Sequence, residues 1–119
     1  MTLYIANSFS LNMLPESTRS VWVYVKRISV DEARDIIRSW KDDIKSIVGH
    51  QATAEILSVL LGIKIEVNRA EIKLNLEKDA MIIFQLRKRL PEGQILKSRE
   101  EIEAAGYDLY YVIPTPYCQ

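Results

Sequence analysis

Apolar and polar positions follow one another along this chain with two different periods, and the period switches from segment to segment. TLYIA, residues 2 to 6, is a short apolar run suited to a buried strand. It leads into NSFSLNML, where Asn7, Ser8 and Ser10 can cap a short helical turn. VWVYVKRI, residues 21 to 28, is β-branched and aromatic and predicts a second strand. In SVDEARDIIRSWKDD, Ser29 or Asp31 is the expected cap, acids fill the first turn, and Ile36, Ile37 and Trp40 form an inner stripe. That segment predicts a surface helix.

IKSIV, residues 44 to 48, fits either a short extended segment or the approach to the next helix. Gln51 to Leu61 is apolar nearly all round, and Gly62 stands where a helix end favours a left-handed residue, so a buried helix is expected. KIEVNRAEIKL, residues 64 to 74, alternates apolar and charged positions and predicts extended chain with a turn or kink at Asn68-Arg69. MIIFQLRKRL, residues 81 to 90, begins as a strand buried on both faces and ends basic, and PEG at 91 to 93 breaks it. SREEIEAAG predicts a short capped helix stopped by Gly106, and DLYYVIP a closing strand. Strands and helices alternate. The implied fold class is α/β, a mixed sheet of about five strands with helices packed on it, in a single domain spanning 1–119. Polar loops should then gather at strand ends, with the helix that starts at Gln51 presenting its N-terminus at such an edge.

Composition narrows the choice of function. A chain of 119 residues is long enough for one domain with a proper core, and 48% hydrophobic with 27% charged residues suits a folded protein. Sixteen basic and sixteen acidic residues cancel, so a polyanion has to be gripped by a local patch rather than drawn in by overall charge. Scanning along duplex nucleic acid is not expected. The one cysteine, Cys118, excludes an internal disulfide, and one histidine cannot build a multi-histidine metal centre within a protomer. No segment reaches membrane-spanning length. These features predict a cytoplasmic protein that needs no metal and no cofactor.

The one histidine, His50, stands just after Gly49 and just before the helical run. A helix N-terminus exposes backbone N–H groups and partial positive charge, a natural cradle for phosphate, and Gly49 would let a ligand approach the backbone closely. An imidazole there can either protonate an oxygen leaving phosphorus or simply cap the helix. Arg87 and Arg89 are two apart, which on a strand puts both on one face as a phosphate clamp; a solvated strand end is the commoner reading of such a run. Glu92 can orient an arginine or serve only as a turn residue. Asn7, Ser10 and Asn12 offer short hydrogen-bonding side chains suited to base edges and ribose hydroxyls, and Asn68-Arg69 combines turn chemistry with a phosphate or surface charge.

Taken in order and spacing, ANSFSLNML (6–14), IVGHQAT (47–53), NRAEIKL (68–74) and QLRKRLPEG (85–93) resemble the viral ring nuclease family. Those small type III anti-CRISPR proteins include a domain first described from a Sulfolobus turreted icosahedral virus. The resemblance runs from about residue 2 to the final strand. It implies a homodimer that binds cyclic tetra-adenylate, the messenger of type III CRISPR defence, across its two-fold interface and opens the ring without metal. It implies His50 as general acid, with Arg89 and Glu92 supporting the scissile phosphate and the transition state. Asn7, Ser10, Asn12, Arg69, Gln85 and Gly49 fall on positions expected to contact ligand. Two other readings remain: a sponge that sequesters the ring uncut, and a viral nucleic-acid-binding or structural protein.

Overall fold

Five of these segments meet edge to edge in one sheet, and its strand pairing explains where the polar loops go. The computed structural model describes residues 1–88, 96 and 98–116. Its strands are β1 (Leu3–Ala6), β2 (Val21–Ile28), β3 (Ile44–Ser46), β4 (Ala80–Leu86) and β5 (Tyr107–Pro116), and its helices are α1 (Val30–Trp40), α2 (Gln51–Leu61) and α3 (Arg99–Ala105). The sheet runs β2-β5-β4-β1-β3. β1 is parallel to both neighbours, with Ile5 opposite Ser46 and Ala6 opposite Ile83, while β5 runs antiparallel to β4 and to β2. This is the mixed five-stranded α/β fold that the alternation of elements predicts.

Helix boundaries follow local chemistry. Ser29 and Glu32 form a reciprocal capping box at the start of α1, and Asp31 and Glu32 sit where the helix dipole favours acids. Ser98 caps α3 in the same way through its hydroxyl. α2 ends at Gly62, whose φ of 71° is left-handed and whose N–H reaches the Ser58 carbonyl. A second latch joins α1 to this end, because Arg34 Nε donates to the Leu60 carbonyl at 2.9 Å.

Strand alternation divides the core between the two faces of the sheet. Ile82 and Phe84 of β4 pack with Ala33, Ile37, Leu57, Leu60 and Ile102 on the face covered by the three helices. Met81 and Ile83 point the other way and pack with Ala6, Ile47, Leu74 and Leu76 beneath Phe9, Met13 and Ile72. That second face is therefore roofed by irregular chain: the segment after β1, which carries a 3-10 turn at Leu11–Met13, and the segment leading into β4.

Three expectations are refined. Ile44–Ser46 is a true edge strand, held parallel to β1, which settles the ambiguity of residues 44 to 48. The alternating segment 64 to 74 joins no strand; its pairing is an isolated parallel bridge between Val48 and Val67. The basic strand is shorter than predicted, ending at Leu86, so Arg87 and Lys88 follow it rather than belonging to it. The turn assigned to 91 to 93 and the Cys118 tail lie outside the described residues.

Asp79 is a buried carboxylate that fixes the entry to β4. It accepts from the Thr2 N–H at 3.0 Å and the Asn75 N–H at 2.8 Å, tying the start of β1 to the turn before β4. Replacing it leaves two partly buried N–H groups without their acceptor, together costing about 1–3 kcal/mol. Asp79→Ala should lower unfolding free energy by about 2 kcal/mol in urea titrations, whereas an exposed acid such as Glu77 should be replaceable without measurable loss.

Candidate functional site

Parallel pairing of β1 with β3 and β4 brings three C-terminal strand ends to one edge. Asn7 leaves β1, the turn carrying Gly49 and His50 leaves β3, and Gln85 lies near the end of β4. Because β5 runs the other way, it contributes its beginning to the same edge, where Gln85 is opposite Asp108 and Leu86 opposite Tyr107. In open α/β sheets ligands lie outside the carboxyl ends of the strands. Ser46 and Ile82 both stand opposite Ile5, two strand spacings apart at about 10 Å, and Gln85 lies three residues further along β4.

His50 is exposed and occupies the N-cap position of α2 with φ −129° and ψ 132°, yet its side chain makes no capping hydrogen bond. The structural alternative for this histidine, a side-chain cap, is therefore not realised. α2 also lacks an acid in its first turn, in contrast to α1 and α3. Its first N–H groups and the helix dipole are left to act on whatever lies at the edge.

Arg69 sits against this turn. Its Nε donates to the Gly49 carbonyl at 2.7 Å, and its Cγ lies 3.5 Å from where a Cβ on Gly49 would stand. Gly49 itself has no positive φ, so its lack of a side chain serves close packing rather than an unusual backbone. Asn68 does not make a turn. Its N–H donates to the Val48 carbonyl at 2.8 Å and its Nδ2 to the Ser46 carbonyl at 2.9 Å.

Ser10 and Asn12 lie together on the roof. The Ser10 hydroxyl accepts from the Asn12 N–H at 3.2 Å, capping the 3-10 turn, and still has a proton to donate. With Met13 and residues 70 to 73 they line a cavity of about 450 Å³. Lys73, which sequence reading passed over, donates to the Asn12 carbonyl at 2.6 Å and spans the gap to Leu14. Nothing in an alternating run distinguishes this lysine from a solvated one. Ala70 joins this cavity to Arg69, so one stretch of chain connects the roof to the His50 turn.

The arginine-clamp expectation divides. Arg87 turns toward β5, where both its Nε and Nη2 engage the Asp108 carboxylate, at 3.3 and 3.0 Å. Arg27 approaches the same carboxylate at 3.7 Å and lies over the Tyr110 ring at 5.5 Å. Arg87 is thus half of a carboxylate pair, three strands away from β3, and does not join His50. Arg89 and Glu92 lie outside the described residues. The cluster around Asp108 carries no surplus charge, since Arg27, Arg87 and Arg99 face Asp31, Asp108 and Glu103 across a cavity of about 490 Å³. Among the described residues no group of histidine, cysteine and acidic side chains is arranged to hold a metal ion, and no helix is long and apolar enough to cross a membrane.

With this geometry in place, the comparison with known proteins is direct. The STIV B116-like family profile matches residues 3–109, which includes every strand that forms the edge. The chain belongs to the STIV B116-like family. It is 38% identical to the ORF117 protein of Acidianus two-tailed virus over 112 residues, covering 94% of this chain and 92% of that one. It is 35% identical over 85 residues to YddF of Bacillus subtilis, covering 71% of this chain and 77% of that one. B116 of Sulfolobus turreted icosahedral virus has the same fold, with a TM-score of 0.79, 25% identity, and coverage of 95% of this chain and 99% of that one. In this B116-like chain the family match extends over the roof, the His50 turn and β4 alike.

The groups around Asp108 are shifted from their ordinary values, Asp108 downward and Tyr107, Arg27 and Arg87 upward. The hydrogen bonds from Arg87, with the charges of Arg87 and Arg27, hold the Asp108 carboxyl below the usual carboxylate range against the opposing effect of burial. Burial, with the Glu103 carboxylate accepting its O–H at 2.6 Å, pushes the Tyr107 phenol up to about 12. A carboxyl depressed on folding contributes stability above its unfolded value that is lost as pH falls through its folded value. Asp108→Asn should therefore flatten the acid side of the stability–pH curve below about pH 4, with little change near neutrality, as read by urea midpoints at several pH values.

Proposed function

We propose that this B116-like protein is a ring nuclease that binds cyclic tetra-adenylate as a homodimer and cleaves it without metal. The observation that carries the reading is His50, exposed and uncapping at the start of α2, beside Arg69 and at the edge shared by the ends of β1, β3 and β4. The four sequence stretches that resemble ring nucleases fall on this edge, the roof above it, and the segment after β4.

The chemistry asks little of the protein, because each ribonucleotide of the ring carries its own nucleophile. The 2′-oxygen attacks the adjacent phosphorus and loses its proton to solvent. The bond from phosphorus to the 5′-oxygen breaks, and protonated His50 donates to that oxygen as it leaves. The products are a 2′,3′-cyclic phosphate end and a 5′-hydroxyl. The N–H groups at the start of α2, Arg69 and, from outside the described residues, Arg89 stabilise the charge on the phosphoryl oxygens, with Glu92 orienting them. Asn7, Ser10, Asn12 and Gln85 supply hydrogen bonds to ribose and base. Cutting two opposite linkages gives two linear di-adenylates.

Two-fold symmetry matches a four-fold ring to two copies of one histidine.

Losing the general acid should cost about 100- to 10,000-fold in turnover. His50→Ala is expected to bind cyclic tetra-adenylate with unchanged affinity and to cleave it at least 100-fold more slowly in single-turnover assays; an undiminished rate removes His50 from the mechanism. A sponge would instead return intact ring from the wild-type protein after denaturation.

A further inference from the structure

The turn that presents His50 is only three residues long. Ile47, Val48 and Gly49 join β3, at the edge of the sheet, to the N-cap of α2. One side of the turn is secured by the sheet, since the Ile47 N–H donates to the Ile5 carbonyl at 2.9 Å. Among the described residues β3 has no strand on its other side. That position is filled by residues 66 to 69, which run beside the turn without joining the sheet.

The contacts between the two segments form a continuous zipper. The Ser46 hydroxyl donates to the Glu66 carbonyl at 2.5 Å, and the same oxygen accepts from the Val48 N–H at 3.3 Å. Val48 and Val67 form the parallel bridge. The Asn68 N–H and Nδ2 reach the Val48 and Ser46 carbonyls, and Arg69 Nε closes the series on the Gly49 carbonyl, the last backbone acceptor before His50. Every backbone carbonyl from Ser46 to Gly49 except that of Ile47 thus receives a hydrogen bond from Asn68 or Arg69.

From this arrangement we infer that Asn68 and Arg69 are positioning residues for His50. The strap fixes the Gly49–His50 peptide, and with it the direction in which the imidazole leaves the backbone. The inference rests on the ring-nuclease reading and adds to it an account of Arg69. Its Nε acts on the backbone, while its Nη groups remain for phosphate. Asn68 contacts no proposed ligand site at all and works through the turn alone. Without the strap, the only fixed point in the turn is the Ile47 N–H on β1, and Val48 and the unrestricted Gly49 lie between it and the acid. A displacement of about 1 Å is enough to cost on the order of 100-fold in a positioned reaction.

The test compares Asn68→Ala, Asn68→Asp and Arg69→Ala with the wild type in three measurements: kcat and KM on cyclic tetra-adenylate, amide hydrogen exchange, and thermal midpoint. Asn68→Asp keeps the side-chain shape and removes the donor to Ser46, which provides a second variant if the alanine form folds poorly. A positioning role predicts that both Asn68 variants lose at least tenfold in kcat with KM within about threefold of wild type. It also predicts faster exchange at the Val48 to Ala54 amides and a thermal midpoint close to that of the wild type. Arg69→Ala should show the same kcat loss together with a raised KM. The inference is overturned if the Asn68 variants keep wild-type kcat, or if exchange around His50 is unchanged. A wild-type protein that leaves the ring intact would sink the nuclease reading instead, while the exchange data would still decide whether the strap holds the turn.

Discussion

Parallel pairing of the four-residue strand β1 with β3 on one side and β4 on the other is the constraint from which the rest follows. Parallel strands share a direction, so the chain must leave all three at the same edge, and every residue after them is delivered there. Antiparallel neighbours would have scattered those loops to opposite ends. The sheet pairing sets Asn7, the His50 turn and Gln85 along one line before any side chain makes a contact. The three helices cover one face and leave the other to irregular chain. The roof formed by residues 7 to 14 and 70 to 76 is therefore a direct result of where the helices pack.

Within that frame the molecule handles its three helix starts differently. α1 and α3 have serine caps and acids in their first turns, which satisfy the free N–H groups and oppose the dipole. α2 has a histidine whose ring does not cap and no acid in its first turn. An uncompensated helix start costs stability, since a good cap contributes about 1 kcal/mol. The Asn68–Arg69 strap offsets part of that by binding the preceding carbonyls, so the turn is held from the acceptor side while the donor side stays open. This division of labour allows a firmly held backbone to present both an imidazole and amides that have no partner among the described residues.

Much of this was legible in the sequence, and the reason differs between elements. Helix boundaries were readable because capping is local: Ser29, Ser98, Gly62 and Gly106 mark ends within a few residues of the groups they satisfy. Strands β2 and β5 were readable from β-branched and aromatic runs. Residues 44 to 48 stayed ambiguous because a three-residue parallel strand has no period of its own and exists only by virtue of β1. The alternation in 64 to 74 marked extended chain with a turn or kink at Asn68-Arg69, and the segment is extended without a ladder, tied to the sheet edge only by the bridge at Val67 and the bonds of Asn68 and Arg69. For the site, a lone histidine between glycine and a helix was visible, and so was its possible chemistry. The role of Asn68 was not, because a carbonyl 22 residues away in sequence leaves no local trace. The partner chosen by Arg87 was hidden for the same reason, since it depends on the register of β5 against β4.

The central claim is that an imidazole at this edge, with no help from a bound ion, opens a ring of ribonucleotides by using the ring's own 2′-hydroxyl. The most direct measurement is to incubate the purified wild-type protein with cyclic tetra-adenylate in excess chelator and identify the ends of the products by mass spectrometry. The account predicts linear di-adenylate bearing a 2′,3′-cyclic phosphate and a 5′-hydroxyl. Intact ring, or products ending in 5′-phosphate, would contradict it.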